Sequence, residues 1–192
     1  VSRRSFGWVT LDSRGDMRFL GKQDLQAGSS VWTAGDLHLR AAQIYPGTRV
    51  WSEVRFGYQG QGSMDLDRTL KISSNGSVPA ALPYSVFGRL AFTGGNIEQG
   101  GVVRAPLGLI SLGSDFYGST RAVNVLPGSV TSVSGAGLVM PYGGTTDGTD
   151  YRYNGQSVIL QGIANEMTGV VLMGQYVNAQ AGSLIDLSGG GD

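Results

Sequence analysis

Apolar and other residues alternate in short runs along the whole chain. Met17-Arg18-Phe19, Leu37-His38-Leu39, Leu70-Lys71-Ile72, Leu90-Ala91-Phe92, Ile110-Ser111-Leu112, Val123-Asn124-Val125 and Ile185-Asp186-Leu187 all read apolar, other, apolar. A period of two places the apolar members on one face of a strand. No convincing amphipathic stretch of helical period accompanies them, and glycine interrupts each candidate. The pattern predicts an all-β chain of short strands, each with one buried face.

The runs recur at a spacing. Phe19 to Leu39, Ile72 to Phe92 and Phe92 to Leu112 are each one step of about 20 residues, and Leu39 to Ile72 is one step plus an insertion. Gly15, Gly35, Gly88 and Gly108 each stand two residues before the first apolar member of a run, with Arg68 in that place once. One unit, "GNIEQGGVVRAPLGLISLGS" at 95–114, holds three apolar centres: Ile97, Val102-Val103 and Ile110-Leu112. Gly100-Gly101 and Pro106-Leu107-Gly108 separate them as corners. Three strands per unit, stacked unit on unit, is a parallel β-helix, a solenoid of about seven or eight coils here. On this reading Leu39, Ile72, Phe92 and Leu112 occupy equivalent inward positions, with Leu39 and Ile72 on adjacent coils. The whole of 1–192 is one such segment, with insertions near 45–67, 114–120 and 140–156.

Composition sharpens this picture. The 192 residues include 32 Gly, well above the usual share of about 7%, yet the ordered alternation argues against disorder. Charged residues make up 15% and the net charge is zero, so bulk charge offers no attraction to nucleic acid or a membrane surface. No apolar run reaches membrane-spanning length, and no basic region followed by an apolar one opens the chain as a signal peptide does. The first residue is Val1, as expected of a segment from something longer. Cysteine is absent, so stability must come from backbone pairing and packing.

Candidate binding residues lie in the insertions. "YPGTRVWSEVRFGYQGQGSMDLD" (45–67), "SDFYGST" (114–120) and "MPYGGTTDGTDYRYNGQ" (140–156) are rich in aromatic, Gly and polar residues. Trp51, Tyr58, Tyr142, Tyr151 and Tyr153 are candidate platforms for sugar rings, or alternatively covers folded back on the repeat. Arg14-Gly15-Asp16 spells an integrin-binding tripeptide. Its glycine keeps the register of the repeat, while Asp16 aligns with Asp36, Arg89 and Leu109. The tripeptide therefore reads as a turn with a structural glycine, expected at φ > 0 or at a close backbone approach, and two variable neighbours.

Little points to catalysis. The three glutamates Glu53, Glu98 and Glu166 are far apart, and the closest aspartate pairs, Asp65 with Asp67 and Asp147 with Asp150, fall in insertions. Polysaccharide-cleaving β-helices need clustered carboxylates, often with a basic residue or calcium. His38 is the one histidine, and alternation points it outward between Leu37 and Leu39. No His or Cys cluster forms a zinc site, "GGTTDGTD" at 143–150 lacks the spacing of stacked calcium repeats, and no glycine-rich phosphate loop opens a helix. Asn75-Gly76-Ser77 is a formal glycosylation sequon that reads as a turn. The expectation is a non-enzyme with no cofactor, no metal and no nucleic-acid partner.

"GGNIEQGGVVRAPLGLISLGS", "VNVLPGSVTSVSGAG", "GDLHLRAAQIYPGT" and "NAQAGSLIDLSGGGD" resemble the shaft of the filamentous haemagglutinin family, large bacterial exoproteins of two-partner secretion. The resemblance covers most of the chain and is weakest in the long loops. It implies a right-handed parallel β-helix, extracellular or on the cell surface of a Gram-negative bacterium. It implies an internal shaft segment of an adhesin supporting cell adhesion or biofilm attachment. Its implied partners are flanking β-helix coils of the parent protein, an outer-membrane transporter for secretion, and host or matrix glycans or proteins. A carbohydrate-binding module working through the aromatic loops is the alternative, and a polysaccharide-degrading enzyme a distant third.

Overall fold

The computed structural model describes residues 6–21, 29–60, 62–79, 82–83, 85–114, 120–138, 151–153, 156–158 and 168–189. It is all-β, with no helix among the described residues. The chain runs through three parallel sheets in a fixed order. β1 (Trp8–Asp12) lies in the first sheet, β2 (Met17–Phe19) in the second and β3 (Ser30–Trp32) in the third. β4 (Asp36–Ala41), β5 (Ile44–Pro46) and β6 (Trp51–Arg55) repeat the circuit. The hairpin of β7 (Tyr58–Gly60) and β8 (Ser63–Met64) then leaves it. β9 (Thr69–Ser74) returns to the first sheet and β10 (Arg89–Thr93) to the third. β11 (Asn96–Gly100), β12 (Val102–Arg104) and β13 (Leu109–Leu112) make a complete circuit. β14 (Ala122–Val125) and β15 (Val130–Ser132) begin another. The antiparallel pair β16 (Tyr151–Tyr153) and β17 (Gln156–Val158) interrupts it before β18 (Gly169–Leu172). β19 (Tyr176–Ala179) and β20 (Leu184–Asp186) end the series.

Parallel register stacks like on like. In the first sheet Val9, Leu37, Leu70, Ile97, Val123 and Val177 are successive partners. In the third, Val31, Val54, Phe92, Leu112 and Leu172 are. The inner members of these columns are fully buried, and they join Ile44 and Val103 of the second sheet in one core. Each such side chain contributes roughly 1.5–3 kcal/mol of burial. The columns open at their ends: Val177 is 47% exposed, and β1, β2 and β3 are end strands of the three sheets, as are β18, β19 and β20.

Several sequence expectations need correcting. Leu39, Ile72, Phe92 and Leu112 are all buried, and Leu39 does pair with Ile72, but Phe92 and Leu112 form a separate pair in the third sheet. The steps of about 20 residues from Phe19 to Leu39 and from Ile72 to Phe92 jump from sheet to sheet, whereas the step from Phe92 to Leu112 stays within the third. True partners in the first sheet, such as Leu70, Ile97 and Val123, stand roughly 26 residues apart. An alternating strand looks the same in any of three sheets, so spacing alone misassigns it. Among the described residues the first sheet has six strands and the second and third have five each. Likewise Gly15, Gly35 and Gly88 precede strands of three different sheets, so Asp16 is not equivalent to Arg89; only Arg89 and Leu109 are partners.

The first insertion is narrower than 45–67, because β5 and β6 belong to the parallel sheets and only the hairpin departs. A departure the pattern did not show occurs at 75–88. Among its described residues no second-sheet strand forms, and β12 pairs directly with β5 through Val103 and Ile44. The excursion is anchored where it returns: Ser85 and Val86 are fully buried, the Ser85 hydroxyl donates to the Pro46 carbonyl, and Arg49 N–H donates to Val86 O at 3.0 Å.

Candidate functional site

The outward face of the third sheet carries two exposed tryptophans, Trp32 and Trp51. On β6, Ser52 and Val54 point into the core, so Trp51, Glu53 and Arg55 point out. Trp51 is thus a strand residue rather than a loop residue, and it is 47% exposed. Its partner across the ladder is Arg89, whose guanidinium lies 5.9 Å from the Trp51 ring. At the other end of β6, Arg55 partners Trp32 of β3, with its guanidinium 5.0 Å from that ring. Arg55 also donates to Glu53 at 2.7 Å, in a pair that leaves the two side chains only 15% and 26% exposed. Guanidinium over an indole is an attraction of the cation–π kind, and it fixes both rings.

The hairpin supplies a wall. Tyr58 on β7 packs against Trp32, ring centres 5.0 Å apart and tilted by 59°. The hairpin is tied to the corner after β3 by Tyr58 N–H to Thr33 O at 2.8 Å and by Gln59 Nε2 to Ala34 O at 3.2 Å. Beneath it the next circuit turns on Gly94-Gly95. A Cβ on Gly94 would collide with the Phe56 ring, and one on Gly95 with the Leu66 backbone. Two adjacent glycines therefore let the hairpin seat directly on the repeat.

Of the five aromatics singled out in the sequence, the structure places Trp51 and Tyr58 on this side of the molecule, with Trp32 as the link the sequence reading missed. The signal was available: Trp32 follows Val31 by one, as Trp51 precedes Ser52 by one, so both fall on the outward parity of buried strands. Tyr142 lies outside the described residues. Tyr151 and Tyr153 fall on β16, which pairs with β17; their side chains lie outside the described residues.

Arg14-Gly15-Asp16 forms the exposed corner between β1 and β2. Gly15 does not have the positive φ expected of it, and a Cβ there would meet nothing within 4 Å. Glycine is demanded instead at Gly108, where a Cβ would strike Gly88 O. Asp16 is engaged locally: its carboxylate accepts from Gln43 Nε2 at 2.9 Å. Burial, and then the negative charge of Asp16, push the Tyr45 hydroxyl above its usual range. Arg14 lines an open cleft of about 500 Å³ with Asp12, Ser13, Arg40, Asn75 and Ser77. Asp12 and Arg40 pair across it at 3.0 Å. The Asn75-Gly76-Ser77 sequon is a turn: Ser77 N–H donates to Asn75 Oδ1 at 2.8 Å, and Asn75 Nδ2 donates to Ser13 O at 2.8 Å.

The remaining charged candidates serve as ties. Asp65 accepts from Arg68 Nε at 2.9 Å, and Asp67 pairs with Arg121 of the next corner. The backbone N–H of Asp67, then Arg68, hold the Asp65 carboxyl below its usual range. His38 is half-buried on the outward side of β4, with Nε2 2.8 Å from Ser73 Oγ. Among the described residues no three His, Cys, Asp or Glu side chains gather as a metal site would need.

No family model, curated protein or solved structure matches the chain.

Proposed function

We propose that the chain is a right-handed parallel β-helical segment of the shaft of a bacterial surface adhesin related to the filamentous haemagglutinins, a rigid spacer that holds adhesive parts away from the cell. The observation that carries this reading is the contrast between the two faces of the first sheet. Inward, Leu37, Leu70, Ile97 and Val123 repeat one chemistry through consecutive strands. Outward, their neighbours Thr10, His38, Lys71, Glu98 and Asn124 change chemistry at every step, and only the last, Asn124 to Asn178, repeats. A spacer needs a continuous core and tolerates any solvated surface. Six strands at about 4.8 Å each extend the particle by roughly 24 Å along the stacking direction.

The test is a deletion in register. Asn96 and Ala122 are partners, so removing 96–121 joins Gly95 to Ala122 and takes out one circuit. In bacteria displaying the parent filament, this deletion should leave adhesion in place, while deletion of 96–108, half a circuit, should abolish display. An in-register deletion that keeps the fold but eliminates adhesion would overturn the spacer reading, because the segment itself would then be the adhesive element.

A further inference from the structure

We infer that the outward face of the third sheet is a glycan-binding surface, with Trp32 and Trp51 as its two platforms and Tyr58 as its wall. Its ligand is a neutral, β-1,4-linked, extended oligosaccharide. The two indoles are 52% and 47% exposed on rigid, paired strands rather than on loose loops. Large exposed aromatics are costly to leave in water and mark interaction sites when they share a face. Register gives their separation. Trp32 sits beside Arg55, and Trp51 lies four residues along the same strand. Their Cα atoms are therefore about 14 Å apart, roughly the length of three linked pyranose rings.

The surface between the platforms selects the ligand class. Ser30 and Glu53 lie there as partners, so hydroxyl-rich groups find polar atoms between two apolar plates. This is the alternation a sugar chain presents, with C–H faces of its rings separated by hydroxyl edges. A protein partner draws its affinity from aromatics clustered in one desolvated pocket. Here the two indoles stand separately, with Ala91 and Ser111 leaving the neighbouring strands flat. Charge favours a neutral chain over an acidic one. Glu53 and Arg55 neutralise each other at 2.7 Å; Arg89 keeps its charge over the Trp51 indole, but one cation is a weak attraction for an acidic polymer, and the whole chain has zero net charge. A β-1,4-linked chain runs straight and flat, as the sheet does, whereas β-1,3- and α-1,4-linked chains curve away from it.

The three tryptophans permit a direct experiment. In a Trp8→Phe background, titration of the two remaining indoles with cellohexaose should shift their fluorescence saturably and independently of salt. Trp32→Ala and Trp51→Ala should each weaken binding about tenfold or more, measured well below each variant's Tm so that lost ring contacts do not count as lost binding, and Trp51→Phe should restore part of the loss. Maltohexaose and laminarihexaose, both curved, should bind more weakly. Failure of cellohexaose at millimolar concentration, or equal binding of all three, overturns the inference. So does binding that survives the double alanine variant. A heparin dodecasaccharide bound in preference, with steep salt dependence, would assign the face to an acidic polymer. Tryptophan-dependent attachment to a protein surface stripped of glycans, without hexasaccharide binding, would assign it to a protein. Both of those results also overturn it. None of these outcomes bears on the in-register deletion, which leaves Trp32, Trp51 and Arg89 in place.

Discussion

The ring of Phe56 occupies the space that a side chain on Gly94 would need. Phe56 is fully buried at the root of the hairpin, and its N–H donates to Thr93 O at 3.1 Å. The corner glycine and the hairpin aromatic are thus one fitted unit joining consecutive circuits. Gly94→Ala should destabilise the protein by about 1–3 kcal/mol, the usual cost of overpacking a filled core. Gly15→Ala is the control: with open space around it and no left-handed φ, it should change stability by less than about 0.5 kcal/mol. Urea midpoints decide this. Equal effects at the two positions would mean that the Phe56 ring moves aside freely.

The tripeptide Arg14-Gly15-Asp16 makes a separate prediction. An integrin ligand must offer its carboxylate to the receptor, yet Asp16 accepts from Gln43 at 2.9 Å. Coated surfaces of wild-type and Asp16→Glu protein should therefore support the same integrin-dependent cell attachment, at equal melting temperature. Attachment lost in the variant at unchanged stability would show that the tripeptide is read by receptors after all.

How far the chain was legible depends on which physical signal each feature left. Alternation marked the strands, because a buried face demands apolar residues at every second position; the unit at 95–114 resolved correctly into β11, β12 and β13. Assignment to a sheet was not legible. Leu39 and Phe92 carry the same pattern for the same reason, and only the length of the intervening corners, disguised by the excursion at 75–88, separates them. The binding face was half legible. Trp51 stood out by its rarity, but its partners Trp32, Arg55 and Arg89 are brought beside it by register across strands, which no local window contains. Gln99 shows the opposite failure. It lies in the buried column between Ile72 and Val125, where alternation predicts an apolar residue.

Gln99 is tolerated there because its amide is satisfied. Nε2 donates to Val130 O at 3.0 Å and Gly101 O at 3.1 Å, and Oε1 accepts from Gly101 N–H at 3.1 Å. The side chain thereby stitches the corner after β11 to the start of β15. Gln99→Leu completes the aliphatic column but leaves a buried N–H and a carbonyl without that partner. The unpaired groups should dominate, at about 1–3 kcal/mol of lost stability. A variant as stable as wild type in denaturant titration would show that the added apolar packing compensates for the lost amide.

His38 gives the protein a pH dependence whose direction follows from its surroundings. Burial, then Lys71 and Arg40, hold its imidazole below the ordinary value of 6.5, with Asp12 opposing them. Thr10 on one neighbouring strand and Lys71 on the other are its ladder partners, and Ser73 bonds to its Nε2. The folded protein therefore favours neutral imidazole, while the unfolded chain takes up a proton at higher pH. When the unfolded state binds more protons, stability rises with pH. This contribution is fully present above about 6.5 and is lost as pH falls through the lower folded value. Melting temperature should decline on acidification across that window and should decline less in His38→Gln, whose amide keeps a partner for Ser73 but does not titrate. Lys71→Met should raise the imidazole's titration point, read by NMR from its ring protons, and flatten the decline. Identical slopes in wild type and His38→Gln would place the pH sensitivity elsewhere.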